Sequence, residues 1–187
     1  MKQIQQATKT VVNDLEGLEI LLWDTERSIP VMEDTFHLSQ NAEHRLVYAR
    51  ILGMLGNPTG WEVLRQSVDK YEEWDDGWNF RGMGQYGKSI SYLDSLIIAL
   101  GRTKKQEAIP SIIRLAKKLT PESEFSHFHA VSIALETIAS HEGAEVLYQL
   151  LQMPGVTGHA MPDIETARKL TPISKTQVSH YGTRCGS

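Results

Sequence analysis

With a single cysteine in 187 residues, Cys185, the chain has no internal disulfide and no cysteine-based zinc site. That scarcity fits a reducing compartment. Long apolar runs are also missing: stretches such as Leu96-Ile97-Ile98-Ala99-Leu100 fall far short of the roughly 20 residues a membrane-spanning helix needs. The amino terminus, Met1-Lys2-Gln3-Ile4-Gln5-Gln6, lacks the apolar core of a signal peptide. Nor is there an excess of positive charge. The net charge of −4 argues against a nucleic-acid partner, which needs a basic face to neutralise phosphates. Residues 1–79 hold 14 acids against 7 bases and the remainder 9 against 12, an asymmetry that solvated helix faces explain. The expectation is a soluble chain with no membrane span, cytoplasmic by default unless it is cut from an exported parent.

What the chain does have is helical periodicity, and enough length to bury a core. Leu46, Ala49, Ile51, Leu52 and Leu55 share one face of a helix that stops at Gly56-Asn57-Pro58. Thr59-Gly60-Trp61-Glu62 reads as a capping box opening a second helix through Val63, Leu64 and Val68. Tyr92, Leu93, Leu96, Ile97 and Leu100 mark a helix closed by Gly101. Its partner carries Ile109, Ile112, Ile113, Leu115 and Leu119, with Pro110 in the first turn, where its missing N–H costs nothing. A third pair runs through Val131, Ile133, Leu135 and Ile138, then Val146, Leu147, Leu150 and Leu151.

Leu55-Gly56, Leu100-Gly101 and Ile138-Ala139 occupy equivalent places at the ends of the first helices, 45 and 38 residues apart. The first lies within the period of HEAT or armadillo units, roughly 40–47 residues, and the second just below it. One pair cannot bury its apolar face alone, so neighbours must stack. The expected fold is all-α: a short HEAT/armadillo-like solenoid of about three helix pairs over 41–153, behind an N-terminal helical segment, 1–40. That segment holds a helix from Ile4 to Leu15, then Leu18–Trp23 as helix or strand. Residues 154–187 read as a partly irregular tail.

Gly82-Met83-Gly84-Gln85-Tyr86-Gly87-Lys88-Ser89 fits both G-x-x-x-x-G-K-[ST] and G-x-G-x-x-G. Ser89 could cap a helix over 90–100, as a phosphate-binding loop requires. The preceding strand is missing: Glu72 to Arg81 contains no β-branched apolar run, and its acids would oppose a triphosphate. The motif is better read as an inter-repeat connection whose glycines permit tight turns.

Several strings resemble one known family: Trp74-Asp75-Asp76-Gly77-Trp78-Asn79, Gly82 to Gly87, Leu96 to Thr103, Ser123 to Phe128 and Pro154 to Ala160. Over roughly Glu43 to Ala160 the chain is similar to the C-terminal, HEAT-like helical region of bacterial FAD-dependent oxidoreductases. The resemblance implies that redox chemistry belongs to an N-terminal flavin domain. This chain has no strand–glycine–helix unit to hold FAD, and its last 25 or so residues depart from the expected helices. No flavin-binding residue carries over, and the chain is an excised region or a stand-alone relative.

Connections from each second helix to the next first helix lie on one edge of a solenoid. They gather Trp74, Trp78, Arg81, Gln85, Tyr86, Glu124, His127, His129 and His159 there. Aromatic faces beside carboxylates, amides and an arginine suit a sugar or a partner's loop; equally, Trp78, Phe80 and Tyr86 could simply pack the loop onto the helices. His127 and His129, with Glu124 or His159, suggest a metal, but helical i and i+2 side chains project about 200° apart. His127 therefore reads as bonding locally at a helix start. Asp75 and Asp76 could act as an acid–base pair, but adjacent residues in a flexible loop usually diverge, and no Ser-His-Asp or Cys-His spacing is present. The expectation is a non-catalytic scaffold or binding module with no cofactor of its own, FAD entering only through a separate N-terminal domain. Its partners would be a flavin domain or another protein, or a carbohydrate or peptide. The alternatives are a region completing a flavin enzyme's substrate site, and an independent sugar- or peptide-binding module.

Overall fold

The computed structural model describes residues 1–13, 15–77, 91–154 and 156. Among them the chain is all-helical, with no strand. The helices are α1 (Lys2–Thr10), α2 (Leu18–Trp23), α3 (Thr25–Leu38), α4 (Ala42–Met54), α5 (Trp61–Asp69), α6 (Tyr92–Arg102), α7 (Ile109–Ala116), α8 (Phe125–Ile138) and α9 (His141–Leu151). None is long and apolar enough to cross a membrane.

Local chemistry sets the helix ends. Asn41 Oδ1 accepts from the N–H groups of Glu43 and His44 at 2.8 and 3.1 Å and starts α4. Ser91 and Ser140 do the same for α6 and α9, accepting from Asp94 and Gly143 N–H. Pro110 sits in the first turn of α7 as expected. The segment left open between helix and strand is helical, as α2. The first helix stops at Thr10 rather than reaching Leu15, because Leu15 and Gly17 take positive φ (61° and 84°) and turn the chain back.

Two other expectations fail for tertiary reasons. Thr59 does not cap α5: its hydroxyl donates to Glu33 Oε1 at 2.5 Å, and Gly60 at the cap position makes no side-chain bond. Nor does Gly101 close its helix. α6 runs on to Arg102, and the left-handed residue comes later, at Lys104 (φ 57°). Gly101 is needed instead because a Cβ there would lie 2.3 Å from Ala134 Cα. The helix starts at Tyr92 on a Ser91 cap; Ser89 and the rest of the glycine motif lie outside the described residues.

The helices stack in two rows. α4, α6 and α8 pack in succession, with α5, α7 and α9 behind them. The neighbours α4 and α6, α6 and α8, and α5 and α7 run parallel, since contacts advance together along both partners. Gly53 faces Ala99 and Gly56 faces Arg102; Asp94 meets His127 and Gly101 meets Ala134. In the second row Arg114 donates to Val68 O at 3.1 Å and Lys118 to Glu72 O, each pair 46 residues apart, the same offset as Gly53 to Ala99. α1, α2 and α3 pack on one another and on α4, where Tyr48 Oη donates to Thr8 O at 2.9 Å.

One apolar core runs from Ile4 to Val156. α6 is its centre: apart from Tyr92, Ser95 and Arg102, every residue of that helix is buried. Its Leu93, Leu96, Ile97 and Leu100 are fully so, worth roughly 1.5–3 kcal/mol each. Into this apolar helix the sequence places one carboxylate, Asp94, and the candidate site is built around it.

Candidate functional site

Asp94 is the third residue of α6 and has no solvent exposure. A lone buried carboxylate is costly, so it needs a partner. The parallel register of α6 and α8 supplies His127, the third residue of α8, whose Nδ1 lies 2.7 Å from Asp94 Oδ1. A carboxylate accepts, so Nδ1 donates the proton of this bond. The expectation that His127 bonds locally is therefore corrected: its partner is 33 residues away on another helix.

The segment after α5 closes over this pair. The Trp74 ring stacks on the imidazole, centroids 4.4 Å apart and planes 29° from parallel. Trp74 Nε1–H donates to Leu115 O at 3.1 Å, which fixes the indole against α7. Asp75 Oδ2 accepts from Leu93 N–H at 3.2 Å, satisfying a donor at the start of α6 that the helix itself cannot. Gly77 then passes so close that a Cβ there would be 2.6 Å from Glu124 Cβ and from His127 Cε1 and Nε2. Only glycine lets the backbone cross the free edge of the imidazole. Beside them burial pushes the Tyr71 hydroxyl pKa up, and the Asp75 carboxylate and Tyr92 push it further the same way.

The polar groups here are incompletely satisfied. Six buried side-chain polar atoms among the described residues make no hydrogen bond, and four belong to residues of this edge: Asp75 Oδ1, Asp94 Oδ2, Glu124 Oε2 and His129 Nδ1. Each is an acceptor, or in histidine's case can be one, and native proteins leave few such atoms unpaired.

Of the expected edge residues, the structure brings Trp74, Glu124 and His127 together. His129, two residues along α8, turns its ring onto Phe125 at 5.9 Å. The two histidines thus do not converge, and among the described residues no group of three or more His, Cys, Asp or Glu is arranged to hold a metal. Trp78, Arg81, Gln85, Tyr86 and His159 lie outside the described residues. Sequence reasoning missed Asp94 and the role of Gly77. Asp94 did carry a signal, a carboxylate inside the apolar periodicity from Tyr92 to Leu100.

Comparison with protein-family models, curated proteins and solved structures finds no match to this chain. The site's own chemistry is therefore the basis for a functional reading.

Proposed function

We propose that the chain is a HEAT-like helical-repeat module, not itself catalytic, that binds a donor-rich polar ligand, a carbohydrate, at the edge formed by Trp74–Gly77, Asp94 and Glu124–His129. The HEAT-like reading draws on the parallel packing of successive helices and on the 46-residue offset common to the α4–α6 and α5–α7 pairs, against 33 residues from α6 to α8. The binding reading rests on one observation: four buried side-chain atoms without a hydrogen bond, three of them carboxylate oxygens, belong to residues of this edge. Leaving a buried polar atom unpaired costs about 1–3 kcal/mol. Sugar hydroxyls would relieve that cost, and stability given up at one edge is a common mark of a binding site.

The test is a titration of the full chain with a panel of mono- and oligosaccharides, followed by tryptophan emission and thermal unfolding. A ligand should shift both saturably. Glu124→Gln should weaken its binding roughly 10- to 100-fold, as expected for the loss of a charge-assisted hydrogen bond. If no sugar moves either signal, the carbohydrate reading fails.

A second reading has its own support. Two of the strings resembling FAD-dependent oxidoreductases, Trp74–Asn79 and Ser123–Phe128, supply residues of this same edge. The edge would then cover the substrate cleft of a flavin domain. A flavin-binding unit encoded in frame ahead of Met1 would support this reading, and an unrelated or absent upstream sequence would remove it.

A further inference from the structure

A separate feature lies on the exposed face of α6. There α2, the turn at Leu15, α4 and α6 border a groove of about 750 Å³. Leu18 and Leu22 line it from α2, Met54 and Leu55 from the end of α4. Leu15, Leu22 and Tyr92 remain 38, 48 and 42 % exposed, so the groove keeps apolar surface in water that burial would stabilise.

Its charged lining is of one sign. Arg50 and Arg102 border the groove and no acid does. Among the described residues, neither arginine has a carboxylate within ion-pair distance. Arg102 donates to Met54 O at 2.9 Å. Arg50 is half-buried with its guanidinium over the Tyr92 ring, 4.8 Å from the centroid, and its N–H groups have no protein acceptor among the described residues. A guanidinium backed by an aromatic face and with its fork unspent is suited to a carboxylate.

We propose that this groove binds a single-chain amphiphile with a carboxylate head, a free long-chain fatty acid, with Arg50 holding the head and the leucines and Met54 the chain. The size fits, since small-molecule sites span roughly 300–1,000 Å³. Ten residues line the groove, whereas a stable protein interface needs roughly 20–30 on each side. Residues 157–187 of this chain are a poor occupant on charge: they carry four Lys and Arg against two acids, the same sign as the groove.

The experiment titrates the full chain with dodecanoate, dodecanol and dodecyltrimethylammonium below their aggregation limits, by calorimetry. Dodecanoate should bind one to one and at least tenfold more tightly than the alcohol, with the cation weakest. Arg50→Gln should weaken dodecanoate roughly 10- to 100-fold and remove its advantage over the alcohol. Leu22→Glu, at an exposed position that does not hold the fold, should also weaken the carboxylate by setting a like charge beside it. Arg27→Gln, outside the groove, should change nothing. Equal affinity for carboxylate and alcohol, an Arg50→Gln chain that binds dodecanoate unchanged, or binding confined to anionic phospholipid vesicles would each overturn the proposal.

Discussion

Gly101 sits where α6 touches α8, and its replacement by alanine sets two calculable effects against each other. The residue is helical, so intrinsic propensity alone favours alanine by roughly 0.5–1 kcal/mol. Packing opposes it. The new Cβ would lie 2.3 Å from Ala134 Cα and 2.5 Å from Ala134 Cβ, where carbon atoms prefer about 3.5–4.0 Å. Both atoms are fixed to the α8 backbone, so no rotamer change relieves the clash and the helices must move apart by about 1 Å. Overpacking of this kind costs typically 1–3 kcal/mol and occasionally more. The upper range applies, because the same two helices carry the buried Asp94–His127 pair. The net expectation for Gly101→Ala is a loss of about 1–2 kcal/mol, or a fall in Tm of roughly 2–8 °C for a chain of this size. Urea unfolding followed by far-UV circular dichroism measures it directly. Ala134→Gly in the same chain should return part of the loss, because it removes the contact at Cβ and leaves the one at Cα. A Gly101→Ala chain more stable than the parent by about 1 kcal/mol would refute the reasoning: propensity would be acting alone, and α6 and α8 would not meet there.

Two further outcomes follow from single residues. The hydrogen bond from Thr59, then that from Asn57, hold the Glu33 carboxyl pKa below its ordinary value against an opposing push from burial, with His37 adding a smaller downward pull. A depressed folded value means the stability from Glu33 is present above the ordinary carboxylate range and is lost as pH falls through the folded value. Glu33→Gln should therefore flatten the acid limb of the stability curve below about pH 5, as read by urea midpoints from about pH 7 to about pH 3. Ala139 ends α8 in the left-handed region, at φ 58° and ψ 53°, where an L-residue pays roughly 1–2 kcal/mol that glycine does not. Ala139→Gly should raise stability by about 1 kcal/mol in the same assay, and a loss of stability would show that the turn is held by more than its backbone angles.

The helices were legible where apolar spacing and polar caps agree, as in α4 with Asn41 ahead of it and Gly56 (φ 81°) after it. Of the expected edge residues, the meeting of Trp74, Glu124 and His127 was legible, because segments that link successive helix pairs can lie side by side. The misreadings share one physical cause, a contact distant in sequence that outweighs a local preference. Gly101 looks like a helix stop, yet it is used for close approach to Ala134, and sequence does not distinguish these two uses of glycine. Thr59 stands at a capping-box position, yet Glu33, 26 residues earlier, takes its hydroxyl. His127 opens a helix, yet Asp94 claims its ring. No local rule anticipates these pairings, because they depend on the register between helices.

That register is written in helix-to-helix contacts, Gly53 against Ala99 and Val68 beneath Arg114. Chain continuity between Gly77 and Ser91 therefore need not align α4 and α5 with α6 and α7. The direct contacts of α4 with α6 and of α5 with α7 carry that alignment among the described residues. Alignment and connection are separate tasks in this molecule.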